Sequence, residues 1–164
     1  LNQSYRNIEY IIVDGVSKDN TLERNVFIGN KSTRAGIMIT DFDDPSYTAS
    51  NNTISKNIIT GGYTGIWASY APQNLYTDNV ISDTSEYGIL FWDTNSNTVT
   101  DNIIRPMKTS QGSKYGVALS GGDAKNRNIG SSFNEFTDTS VINSDVKLYI
   151  STQSKDNTFL RNSF

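Results

Sequence analysis

The sequence predicts an all-β fold, a single domain over residues 1–164 built as a solenoid of about five to six stacked coils. Three observations predict it. One asparagine phrase recurs six times: an Asn, an apolar residue two places on, a polar residue at five and an apolar residue at seven. A second, glycine-led phrase follows it about ten residues later in four of the coils. No segment sustains a 3.6-residue period, whereas short β-branched runs alternate with period two.

The asparagine phrase reads Asn20-Leu22-Asn25-Phe27, Asn52-Ile54-Asn57-Ile59, Asn74-Tyr76-Asn79-Ile81 and Asn97-Val99-Asn102-Ile104. It continues as Asn134-Phe136-Thr139-Val141 and Asn157-Phe159-Asn162-Phe164. Its starts are separated by 32, 22, 23, 37 and 23 residues, so the base period is 22–23 and two coils carry insertions. The second phrase is Gly36-Ile37-Met38-Ile39, Gly65-Ile66-Trp67-Ala68, Gly88-Ile89-Leu90-Phe91 and Gly116-Val117-Ala118-Leu119, with Lys147-Leu148-Tyr149-Ile150 as a version lacking Gly. Each coil is therefore a strand, an Asn turn, a strand, a Gly-containing turn and a strand. Strands pair between coils, so equivalent residues stack in columns about 4.8 Å apart. The columns headed by Leu22, Phe27 and Ile37 are expected to face the core. The second Asn of each phrase is expected to turn inward at a corner and form an amide ladder. The Gly column is expected to supply a corner conformation that other residues resist. Residues 1–15 fit as a loose first coil, and Phe164 falls in mid-coil, the expectation for a fragment or subunit of a longer helix.

Composition narrows the chemistry. Charged residues make up 19% and the net charge is -3, which gives no basic footprint for nucleic acid. With no His, the commonest general base and metal ligand is missing, and every His-based mechanism with it. With no Cys, there is no disulfide framework. No apolar window is long enough for a transmembrane helix. The richness in Asn, Ser, Thr, Gly and Tyr and the sequons at Asn2, Asn30 and Asn51 point to an extracellular or cell-surface setting.

The Asn-Thr-Ile-x-x-Asn-x-Ile and Gly-Ile phrases resemble the parallel β-helix repeats of the pectin-lyase-like superfamily, of the kind found in carbohydrate-binding and sugar-hydrolase modules, NosD-like proteins and disaggregatase-like surface proteins. The resemblance covers roughly Asn20 to Phe164. It implies a right-handed helix and a polysaccharide partner. The motif is all scaffold. The Asp-Pro-His motif of alginate epimerases and the Asp-Asp and Gly-His-Gly motifs of polygalacturonase-like enzymes are missing from this sequence.

Candidate site residues come from the outward positions and the insertions. One outward column reads Met38, Trp67, Leu90, Ala118, Tyr149, and Trp92 stands two places along from Leu90. Sugar rings stack on flat aromatic faces, which makes Trp67, Trp92, Tyr149, Met38 and Tyr70 the substrate-binding candidates. A β-rich surface carries aromatic residues without any ligand as well. A second apolar column, Val26, Ile58, Val80 and Ile103, suits self-association, as do the coil ends. Asp41 and Asp93 fall two rungs apart, about 9.6 Å between backbones, near the upper end of the range for an inverting carboxylate pair. Arg105, with Lys108, Lys114 and Tyr115 near it and Arg34 two coils earlier, is the candidate for proton transfer or uronate neutralisation in a lyase. Asp41, Asp43 and Asp44 together form a weak Ca²⁺ candidate, and no other cofactor is implied. Two readings stand side by side: a polysaccharide-binding module with lyase or hydrolase activity as its extension, and a non-enzymatic subunit of a surface oligomer, sheath or filament.

Overall fold

The computed structural model describes residues 11–14, 17–30, 32–40, 49–106, 115–122 and 130–164. Its strands lie in three parallel sheets whose neighbours in space are one coil apart in sequence. Sheet A contains β1 (Ile11–Asp14), β4 (Ala35–Thr40), β7 (Thr64–Ser69), β10 (Tyr87–Trp92), β13 (Tyr115–Ser120) and β16 (Val146–Ile150). Sheet B contains β2 (Thr21–Glu23), β5 (Thr53–Ser55), β8 (Leu75–Thr77), β11 (Thr98–Thr100), β14 (Glu135–Thr137) and β17 (Thr158–Leu160). Sheet C contains β3 (Val26–Ile28), β6 (Ile58–Thr60), β9 (Val80–Ser82), β12 (Ile103–Arg105) and β15 (Ser140–Val141). This is a parallel β-helix. The loosely fitting first coil supplies a four-residue strand, in which Ile11 pairs with Ile37 and Val13 with Ile39.

Strand pairing reproduces the expected inward columns. Leu22, Ile54, Tyr76, Val99, Phe136 and Phe159 are successive partners in sheet B. Ile37, Ile66, Ile89, Val117 and Leu148 are successive partners in sheet A. A further core column, Ile39, Ala68, Phe91 and Leu119, runs beside the last of these and is fully buried. Aromatic rings continue the stacking within the core, with Phe136 and Phe159 5.2 Å apart and 18° from parallel.

Both asparagine columns, and not the second alone, form amide ladders. In the first, Asn20 Nδ2 donates to Asn52 Oδ1 and Asn52 Nδ2 to Asn74 Oδ1, each at 3.0 Å. In the second, Asn57 donates to Asn79 and Asn79 to Asn102, again at 3.0 Å. Each Oδ1 also accepts the backbone N–H of the Asn one coil earlier, as Asn79 does from Asn57 at 3.0 Å. The remaining amide proton goes to a backbone carbonyl, as from Asn79 to Ile54 at 2.9 Å. Where Thr139 replaces Asn, its hydroxyl donates to the Thr137 carbonyl, and the ladder resumes with the Thr139 N–H on Asn162 Oδ1.

Left-handed backbone precedes every rung. Asp19, Asn51, Gln73, Ser96, Phe133 and Asp156 sit just before the first Asn position with φ between 54° and 60°. Arg24, Lys56, Asp78, Asp101, Asp138 and Arg161 do the same before the second, with φ between 50° and 57°. None is Gly. The Gly column therefore does a different job from the expected one: Gly36, Gly65, Gly88 and Gly116 are absent from the positive-φ residues. They are glycines because a core side chain of the next coil occupies the space a Cβ would need. A Cβ on Gly36 would lie 2.5 Å from Ile59 Cγ2, and Gly65, Gly88 and Gly116 are crowded in the same way by Ile81, Ile104 and Val141.

Two outcomes follow for stability, both read by urea denaturation. Asn79→Ala strips partners from a backbone N–H, two side-chain amides and a carbonyl in a buried site and is expected to cost about 3 kcal/mol or more. Asn79→Thr, which copies position 139, is expected to cost less. Gly88→Ala forces a methyl against Ile104 and is expected to cost about 1–3 kcal/mol.

Candidate functional site

The outer face of sheet A carries a groove lined by aromatic residues. In β10, Ile89 and Phe91 point into the core, so Leu90 and Trp92 point out. Their partners Ala118 and Ser120 in β13 continue the same face. Leu90 and Ala118 form the floor, Trp92 and Ser120 one wall, and Tyr87 and Tyr115 the other, with Tyr149 joining from β16. The space enclosed is about 190 Å³.

The tyrosine wall is a stack along the solenoid. Tyr87 and Tyr115 are register partners whose rings lie 5.2 Å apart and 13° from parallel. Tyr63 meets Tyr87 edge-on at 6.0 Å, and Tyr149 meets Tyr115 edge-on at 5.6 Å. Burial pushes the Tyr87 phenol up to about 12, and the negative charges of Glu86 and the neighbouring phenolates add to that rise. At neutral pH Tyr87 is therefore a proton and hydrogen-bond donor, not a base.

Two of the aromatic candidates, Trp92 and Tyr149, line this groove. Trp67 lies in the floor column as the partner of Leu90, and the Arg34 guanidinium stacks over its ring, 4.4 Å from the centroid. Met38 belongs to the same column but is 0% exposed, so it presents no surface to a ligand. Tyr70 reaches away from the groove lining, and its hydroxyl donates to Asp93 Oδ2 at 3.4 Å. Tyr63 and Tyr87 were not among the sequence candidates, and Tyr115 was singled out beside Arg105 for proton transfer, not for stacking. Their signal was the residue before the Gly in Tyr87-Gly88 and Tyr115-Gly116, which the core alternation leaves unread.

Of the expected acid–base residues the structure describes Asp93 and Arg105. Asp93 is 3% exposed, and its carboxylate accepts the Gly130 N–H at 2.8 Å and the Gly122 N–H at 3.1 and 3.2 Å. It thereby ties together the two ends of an insertion. Arg105 ends β12 in sheet C, paired with Ser82 and exposed, whereas Asp93 follows a strand of sheet A. Asp41, Asp43, Asp44, Lys108 and Lys114 lie outside the described residues. Among the described residues no group of three or more Asp or Glu side chains converges as a metal site. The other apolar column does face outward on sheet C: Val26 is 64% and Ile58 48% exposed, with Val80 and Ile103 half-buried.

Three stacked parallel sheets, with one strand per coil in each, define a β-helix repeat protein. The chain belongs to the right-handed β-helix family: the family model described as "Right handed beta helix region" matches residues 2–164. No curated protein matches it. Among solved structures it is similar to an alginate lyase from Paenibacillus sp. str. FPU-7, with a TM-score of 0.67 and 13% identity. The match covers 94% of this chain and 56% of the lyase, so the chain spans little more than half of that protein.

Asp93→Ala is expected to lower stability by about 2 kcal/mol in urea denaturation, since it orphans the buried Gly130 N–H and the half-buried Gly122 N–H. Tyr87 makes an alkaline prediction. Its folded pKa exceeds the ordinary value of 10.0, so its contribution to stability is intact below about pH 10 and is lost as pH rises towards about 12. Tyr87→Phe is expected to remove that part of the alkaline loss in a pH series of denaturation curves and to leave stability at pH 7 little changed.

Proposed function

We propose that the chain is a polysaccharide-binding module of an extracellular or cell-surface protein, and that the groove of Tyr87, Leu90, Trp92, Tyr115 and Tyr149 is its site. The observation that carries this reading is the aromatic lining of the groove, the parallel Tyr87–Tyr115 stack with Tyr149 and Trp92 around Leu90 and Ala118. Sugar rings present C–H faces that pack on such surfaces, and their hydroxyls match the phenol, indole and Ser120 groups at the rim. The similarity of fold to a polysaccharide lyase agrees with this setting. Binding rather than cleavage is what the lining supports best: the described residues of the groove supply donors and aromatic faces, with no carboxylate or cation among them. Tryptophan fluorescence titrated with a panel of polysaccharides tests the reading. Tyr115→Ala and Trp92→Ala are each expected to weaken binding by about tenfold, the equivalent of one lost stacking contact. Binding that survives both substitutions unchanged places the site elsewhere.

The exposed Val26 and Ile58 support a second reading, lateral association of copies through the outer face of sheet C. Ile58→Lys is then expected to abolish any oligomer seen by light scattering. An unaltered oligomer, or a monomer at the outset, ends that reading.

A further inference from the structure

On the reading that this groove holds polysaccharide, we infer that it selects neutral sugar units and discriminates against uronates. The described lining consists of three phenols, an indole, a serine hydroxyl and two aliphatic side chains, all uncharged at neutral pH. Aromatic faces carry the negative end of the ring quadrupole, which is why cations sit on them and carboxylates avoid them. A uronate carboxylate placed between Tyr115 and Trp92 gives up water and meets no cation among the described lining residues, so desolvation opposes it. A sugar bearing only hydroxyls has no such cost, because hydroxyls accept from the phenols and the indole and donate to Ser120.

The surroundings act in the same direction. Glu86 precedes Tyr87 in the chain, its carbonyl accepts the Tyr115 N–H at 2.8 Å, and its negative charge is felt at the Tyr87 phenol. The whole chain carries a formal charge of -3, which repels a polyanion from a distance at low salt. Arg34 is engaged on the face of Trp67, one rung away from the groove floor, and Lys147, exposed two places before Tyr149 in β16, is not among the lining residues. The enclosed volume of about 190 Å³ is below the roughly 300–1,000 Å³ of pockets for drug-sized ligands, so the site fits a short segment and not a long one. The likeness to an alginate lyase does not bear against this selection, because a fold shared at 13% identity leaves the outward side chains free to differ.

The test is a calorimetric and fluorescence titration of the unaltered protein with two neutral polymers, a β-glucan and a mannan, and two uronate polymers, alginate and polygalacturonate, at low and high salt. A neutral polymer is expected to bind with an affinity that changes less than about twofold with salt, and the uronates at least about tenfold more weakly. Uronate binding as tight as neutral binding, or tighter and falling with salt, overturns the selectivity while leaving polysaccharide binding in place. No binding of any polymer overturns both. Trp92→Ala and Tyr115→Ala, checked for folding by circular dichroism, locate the neutral site: affinity retained in both variants assigns it to another surface and overturns the inference.

Discussion

Most of the structure depends on one repeated arrangement, an asparagine amide that closes the gap between consecutive coils at each of two corners. In Asn79 the oxygen takes a backbone N–H and an amide proton from the coil before, and the nitrogen reaches a carbonyl and the next amide; Asn74 and Asn102 spend their amide protons on backbone carbonyls alone. A corner exposes backbone groups that no strand ladder satisfies, and leaving them unpaired in a buried position costs about 1–3 kcal/mol each. The amides meet that demand and fix the height of one coil over the next. They also hold twelve non-glycine residues in left-handed backbone, a conformation that costs roughly 1–2 kcal/mol for each and persists only where the surroundings over-determine it.

With the coils locked at one height, equal positions become columns, and the chemistry of the protein is organised by column. Inward, this yields the aliphatic and phenylalanine stacks of the core. At the turn into sheet A it leaves so little room that four successive glycines are crowded by the β-branched side chains of the following coils. Outward, the same spacing lines tyrosines up as a wall, with Trp92 across a floor of Leu90 and Ala118. Among the described residues the groove is thus a product of column stacking, while Asp93 uses its buried carboxylate to hold Gly122 and Gly130 together.

How much of this was legible in the sequence follows from which constraints repeat. The strand–Asn turn–strand plan and three core columns could be read because each position recurs with the same residue type in nearly every coil. The role of the glycines was misassigned because a glycine selected for crowding and one selected for φ look alike in a sequence; only the Ile59, Ile81, Ile104 and Val141 contacts tell them apart. The site was half-legible. Trp92 and Tyr149 stood out as large aromatic residues at outward positions, whereas Tyr87 and Tyr115 fall just before Gly88 and Gly116, where the simple in–out alternation breaks and the side chain swings onto the outer face. Met38 was expected outside by parity and is covered. Asp93 read as an isolated acid, since nothing in sequence shows that Gly122 and Gly130 come back to it.

The amide bonds are indifferent to how much chain lies between their partners. Asn20 and Asn52 are 32 residues apart, Asn52 and Asn74 only 22, and Asn97 and Asn134 37, yet all three pairs close at 3.0 Å. The scaffold therefore insulates itself from what is spliced into its coils. Segments at those points are free to lengthen, shorten or be exchanged without altering the rungs above and below, and loop-closure entropy charges little for it. A lineage or a designer could rewrite the periphery of such a helix many times over the same unmodified spine.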